Sequence, residues 1–390
     1  MESKIDSFHN LDKMKNENIL NSLNKKQEKL LILEANKLPE YNKSKPRSSI
    51  LEYISVAKII AAFSVVILHT NGAFWTFNYE NYKTYWISAN IIESIFYFAV
   101  PFFVLCIGAT LLDFNEKYGI KKYYYKRIQK VILPLIYWNI ILYIFRVYII
   151  KNMKKEKINI IYLWNLYYAH KIYFIFGSFH TFLISYMMIP LLAYVEKSKK
   201  IKVYSYSFIT LLITQTLIPY LISLFEPRLI WIYNIKIGYI IYIFAGYIIE
   251  NYRFEMKWKL IIYILGIYSF LVHIIGTKIL TLRYKRIVQL HKGYLNLPCI
   301  IYSCSLFLLL KEYNYLLLKI INRKIINKIG ALTIGPFFMH LPIIDICKKY
   351  FKINIFSLTY RLFGGFLICL ICLIITFILK KIPLIKYIVP

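Results

Sequence analysis

Residues 57–70 read AKIIAAFSVVILHT, apolar enough to cross a bilayer, yet they keep Lys58 and His69. An ionisable group inside hydrocarbon costs at least ~2.5 kcal/mol on insertion scales, so each needs a reason to be there. The two stand eleven residues apart. At 100° per residue this is about three turns plus 20°, so they share one helix face, roughly 16 Å apart along the axis. The next apolar stretch runs back and carries Glu93 about five residues from its edge; His69 lies about four from its own. Equal depth lets carboxylate and imidazole meet. A carboxylate beside an imidazole orients the ring and raises its basicity, the arrangement of a general base. A self-satisfied structural pair and a proton relay use the same two residue types.

Two further histidines, His180 and His340, fall in apolar stretches and are candidates for substrate binding. No stretch carries the i, i+4 histidine pair of a helical metalloprotease site, so no metal is expected. The six cysteines all lie in or beside apolar stretches, which suits packing thiols better than a disulfide framework. The sharpest basic cluster is KYGIKKYYYKRIQKVILP at 117–134, with Lys117, Lys121, Lys122, Lys126, Arg127 and Lys130. Arg127 and Lys130, at i and i+3, share a helix face just before the next apolar run. Such a cluster holds either anionic lipid headgroups or a phosphorylated cosubstrate such as a coenzyme A nucleotide.

The chain that must position these groups has 390 residues, 59% of them hydrophobic. That exceeds the roughly 45–50% of a soluble domain. The excess is gathered in blocks long enough to cross a ~30 Å hydrocarbon core. The expected fold is an all-α, multi-pass membrane protein. Ten spans are predicted, near 52–73, 88–112, 128–149, 172–194, 203–224, 230–249, 259–276, 294–311, 330–347 and 357–379. The net charge of +31 is not a nucleic-acid footprint, because lysine and arginine lie mostly between the apolar blocks, where membrane proteins carry their orientation signal. Their bias predicts cytoplasmic N- and C-termini, although KNMKKEKIN at 151–159 runs against it. Residues 1–48 form a separate polar tail with a short amphipathic helix, and 49–390 form the membrane domain. No signal peptide and no internal repeat is evident.

Taken in order, six segments resemble the integral-membrane acyltransferase 3 family. KIIAAFSVVILH at 58–69 is similar to the family's arginine, eleven-residue step and histidine, with Lys58 in the arginine position. The charge is kept while the bidentate fork is lost. VPFFVLCIGATLL at 100–112 resembles a Pro-Phe-Phe segment, and YKRIQKVILPLIYW at 125–138 an Arg-x-x-Arg followed by proline, with Lys130 as the second base. FHTFLISYMMIPLL at 179–192 matches at His180, Tyr186 and Pro190 but lacks the family's Leu-Trp. IYIFAGYII at 241–249 is the fifth. IGALTIGPFFMHLPI at 329–343 resembles Ser-x-Gly-x-Tyr-x-x-His, with Thr333 for serine and Phe337 for tyrosine.

The resemblance implies an enzyme of the cell (plasma or inner) membrane that takes an acyl group, most often acetyl, from acyl-coenzyme A. The acceptor is a hydroxyl of a cell-surface polysaccharide or lipid-linked glycan in the cell envelope. Acyl-coenzyme A is a cosubstrate, and no tightly bound cofactor is expected. His69 deprotonates the acceptor or relays the acyl group, with Glu93 beside it. Lys58, Lys122, Lys126, Arg127 and Lys130 face the donor. Two rivals stand against this: an exporter of a glycan or lipid-linked precursor using His69 and Glu93 as a proton relay, and a scaffold that recruits a partner through its tail.

Overall fold

The computed structural model describes residues 47–151, 172–173, 176–225, 238–383, 385 and 389. The predicted tail helix, the KNMKKEKIN segment after Lys151 and the start of the sixth predicted span lie outside these residues. The chain divides into Met1–Ile50 and Leu51–Pro390. The second unit holds the membrane helices and every candidate site residue.

Among the described residues the chain is helical, with no strand. The helices are α1 (Arg47–Thr70), α2 (Tyr82–Leu111), α3 (Ile120–Ile150), α4 (Phe176–Ala193), α5 (Lys197–Phe225), α6 (Ile240–Asn251), α7 (Met256–Tyr284), α8 (Leu297–Ile320), α9 (Arg323–Gly330), α10 (Ile334–Tyr350) and α11 (Tyr360–Lys381). A helix overlaps each of the ten predicted stretches. Six are long and apolar enough to cross a membrane, and α9 with α10, bent by 60°, makes a seventh if counted as one span. The chain is therefore a multi-helix membrane protein. Helix α6 is shorter, as is the described apolar part of α4, and α8 carries Lys311, Glu312 and Lys319.

The helices are not equivalent. The most apolar window of α2 is 78% buried and that of α1 67%, against 11% for α5 and 22% for α7. Helices α1 and α2 thus form the centre, while α5 and α7 turn most of their surface outward to lipid. In hydrocarbon each polar group must be satisfied internally. Accordingly Ser64, Ser94, Thr110 and Thr376 donate back to Ile60, Asn90, Cys106 and Cys372 carbonyls at 2.7, 2.7, 2.6 and 2.6 Å.

Helix α2 breaks its ladder at Tyr97–Phe98. Pro101 follows four residues after Tyr97, has no N–H to give it, and its ring crowds that carbonyl. Below the break, α2 crosses α6 at two glycines. A methyl on Gly108 would overlap the Ile243 carbonyl, and one on Gly246 would overlap the Leu105 carbonyl. Backbone meets backbone there, the close approach that small residues permit in membranes.

Among the described residues, five π-type wide turns interrupt the long helices: Ile128–Ile132, Phe145–Ile150, Leu212–Leu217, Val272–Gly276 and Tyr360–Gly364. Four of them hold Lys130, Arg146, His273 and Arg361, each an ionisable residue in an apolar run. Helix α3 ends at Lys151 in the left-handed conformation (φ 59°). Lys349 of α10 donates to its last carbonyls, Ile149 and Ile150, at 2.8 and 2.9 Å. That cation at a helix C-terminus ties α10 to α3.

Candidate active site

Three helical stripes meet around a cavity of about 740 Å³. Helix α1 gives Val65, Leu68 and His69, α2 gives Glu93, Tyr97 and Val100, and α10 gives Phe337, Leu341, Ile344, Asp345 and Lys348. Their spacings of three and four residues place each set on one face. The volume falls within the range of small-molecule sites. His69 and Glu93, matched in the sequence only by depth, line the same cavity.

Glu93 is 2% exposed, and the chain invests several groups in holding it. Asn71 donates from Nδ2 to Glu93 Oε2 at 3.0 Å and to the Ala89 carbonyl at 2.9 Å. Asn71 Oδ1 in turn accepts from Arg361 at 3.4 Å, and Arg361 also donates to Ser88 Oγ at 2.8 Å. Behind the wall, Lys292 comes in from the connection between α7 and α8. It donates to the Asn90 carbonyl at 3.0 Å, lies 4.5 Å from the Phe74 ring centroid, and has no exposed surface. Burial pushes its ammonium down from the usual lysine range, and the nearby Glu93 carboxylate opposes that.

His69 is half-buried in the last turn of α1. His340 does not line the cavity. It lies behind His69 with ring centroids 4.8 Å apart and planes tilted by 32°. Its Nδ1 is 2.6 Å from the Pro336 carbonyl. A carbonyl only accepts, so Nδ1 carries the hydrogen and a neutral ring keeps its lone pair on Nε2. That Nε2 is buried without a hydrogen-bond partner among the described residues. His180 is on α4; its side chain lies outside what the structure describes.

Arg146, Tyr173 and Asp345 add further polar groups to the cavity lining. Arg146 stands over the Tyr173 ring at 5.1 Å and donates to the Ile172 carbonyl. Tyr173 donates to Asp345 Oδ2 at 2.5 Å. The sequence held a signal for Arg146, Asp345 and Arg361, since each is a charge inside a predicted span. Asn71 and Tyr173 gave none, because each reads as an ordinary uncharged residue near the edge of a predicted span, and Lys292 gave none because it lies between two of them.

The basic cluster gathers toward the other end of α1. Lys58, Lys126, Arg127 and, from α11, Lys380 all lie within electrostatic reach of Lys130. Among the described residues none of these five has a carboxylate partner. Arg127 sits 5.3 and 5.1 Å from the Tyr123 and Tyr186 ring centroids, and its buried Nε has no partner among the described residues. Lys122 and Lys130 are exposed, while Lys58 and Lys126 are half-buried. Stacked guanidinium and uncompensated cations suit a phosphorylated ligand. None of them lines the cavity.

The described helices form a membrane bundle with His69 and Glu93 on a cavity at one end of α1 and a group of cations without carboxylate partners toward the other. The model of the acyltransferase 3 family, described as an acyltransferase domain, matches residues 51–379. The chain belongs to that family. No curated protein and no solved structure matches it.

Proposed function

We propose that this membrane acyltransferase moves an acetyl group from acetyl-coenzyme A to a hydroxyl of a cell-surface or lipid-linked glycan. The reading includes ten spans in the cell membrane, with both chain ends in the cytoplasm. The observation that carries it is the placement of His69 and Glu93 on one cavity, about three turns along α1 from the cations around Lys58.

In this reading Lys58, Lys122, Lys126, Arg127 and Lys130 hold the phosphates of the donor. The acceptor hydroxyl enters the cavity and gives its proton to His69. Its oxygen attacks the thioester carbonyl, the carbon–sulfur bond breaks, and the thiolate leaves and is reprotonated. Glu93, fixed by Asn71, stabilises the imidazolium formed in that step. His340 supports His69 from behind. General-base assistance is worth about 10²–10⁴ in rate.

The test supplies acetyl-coenzyme A labelled in its acetyl group to membranes holding the protein. Label should pass to glycan with release of coenzyme thiol. The Arg127→Ala/Lys130→Ala pair should raise the KM for the donor at least about tenfold, since each charge-assisted contact is worth about 1.5–3 kcal/mol. A donor KM unchanged in that variant would mean that the cluster binds lipid instead. If no label moves with any acceptor, export of a glycan precursor becomes the better account.

A further inference from the structure

Beside the cavity three phenylalanine rings from different helices pack together. Phe103 of α2, Phe182 of α4 and Phe337 of α10 meet pairwise at centroid distances of 6.2, 6.1 and 6.0 Å, all edge to face. Phe337 is the member that lines the cavity. It also touches Phe338 at 6.3 Å, which stacks on Trp138 at 5.5 Å with planes 6° apart. On the far side, Phe182 lies one turn along α4 from Tyr186, over which Arg127 is placed. A run of aromatic side chains therefore leads from Tyr186 beside Arg127, through Phe182 and Phe103, to Phe337 on the cavity that His69 lines.

We infer that the Phe103–Phe182–Phe337 layer gauges the length of the acyl group, admitting acetyl and rejecting longer chains. This rests on the acyl-coenzyme A reading. A donor anchored on the cations presents its thioester to His69 from the side of this layer. Edge-to-face rings from three helices leave little room between them, and packed interiors yield to added volume only at a cost. An acetyl group needs one ring to turn aside. Each further methylene needs space that the three rings already fill. Size discrimination in an apolar site runs at about 10–200-fold per methylene. Phe337 occupies the position where the family resemblance places a tyrosine, so this chain lines the layer with carbon alone.

The experiment measures transfer and thiol release with acetyl-, butanoyl- and hexanoyl-coenzyme A in membranes of the wild type, Phe337→Ala, Phe337→Leu and Phe103→Ala. Phe103 does not line the cavity, so its variant reads the layer without changing the acceptor wall. The wild type should prefer acetyl to hexanoyl by at least about 100-fold. Phe337→Ala and Phe103→Ala should each lower that ratio at least about tenfold, and Phe337→Leu should lower it less. Phe337→Leu keeps the test alive if the alanine variant fails to accumulate. An acyl preference unchanged in variants present at wild-type level would overturn the inference, as would a wild type that uses hexanoyl as well as acetyl. A wild type that releases thiol from none of the three donors would overturn the acyl-coenzyme A reading itself.

Discussion

His69→Ala should lower acyl transfer at least ~100-fold, with the protein still present in the membrane at normal level. The size follows from the site. Among the described residues His69 is the one histidine lining the cavity, which it shares with Glu93, whose carboxylate is held by Asn71 and, through it, by Arg361. Removing the imidazole leaves no other described imidazole on the cavity, only phenols such as Tyr97 and Tyr294 and the charged groups Glu93, Arg146, Asp345 and Lys348. Donor binding should survive, because the cations are about 16 Å away along α1. The result is therefore a loss in kcat with the donor KM retained. His340→Phe should cost less, since that ring supports His69 without lining the cavity. Activity within threefold of wild type after His69→Ala would remove the general-base role.

Gly108→Leu should prevent stable folding. The added Cβ meets the Ile243 carbonyl, a backbone atom that has no rotamer to escape into. Retreat means parting α2 from α6, and the reciprocal contact of Gly246 with the Leu105 carbonyl would open with it. Since α2 also carries Glu93, the cavity would lose its wall. Clashes of this kind give the largest destabilisations known for single changes. The measurement is thermal unfolding and size-exclusion behaviour in detergent. Gly119→Ala is the control, because nothing lies within 4 Å of a methyl there. A Gly108→Leu protein that melts with the wild type would show that the two helices do not cross as described.

Much of this site was legible in the sequence because helix geometry is regular. An eleven-residue step fixes which face Lys58 and His69 share, and counting in from the edge of an apolar run fixes depth, so His69 and Glu93 could be matched without coordinates. The cations at 126–130 were legible for the same reason. What was not legible depends on breaks in that regularity. Lys292 reads as a solvated residue in a connection between α7 and α8, and only the path of that connection carries it behind Glu93. Arg146 and Arg361 sit in wide turns, where the usual 100° step no longer tells which way a side chain faces. His340 was visible as a membrane histidine, but its place behind His69 comes from the approach of two helices far apart in sequence. Length and apolarity alone also do not separate spans from shorter buried helices, as α6 illustrates.

A wide turn is, in geometric terms, one residue more than the helix needs. Deleting a residue from a regular membrane helix rotates everything after it by about 100° and turns its core side toward lipid. Deleting one inside Tyr360–Gly364 or Phe145–Ile150 does the opposite: the ladder closes into an ordinary helix, and the faces on either side stay in register. Two of the five places where the described helices can lose a residue without loss of register are thus the turns that hold the intramembrane Arg146 and Arg361. Deleting the arginine itself there would leave a well-inserted bundle that lacks Arg146 on the cavity or Arg361 behind Asn71.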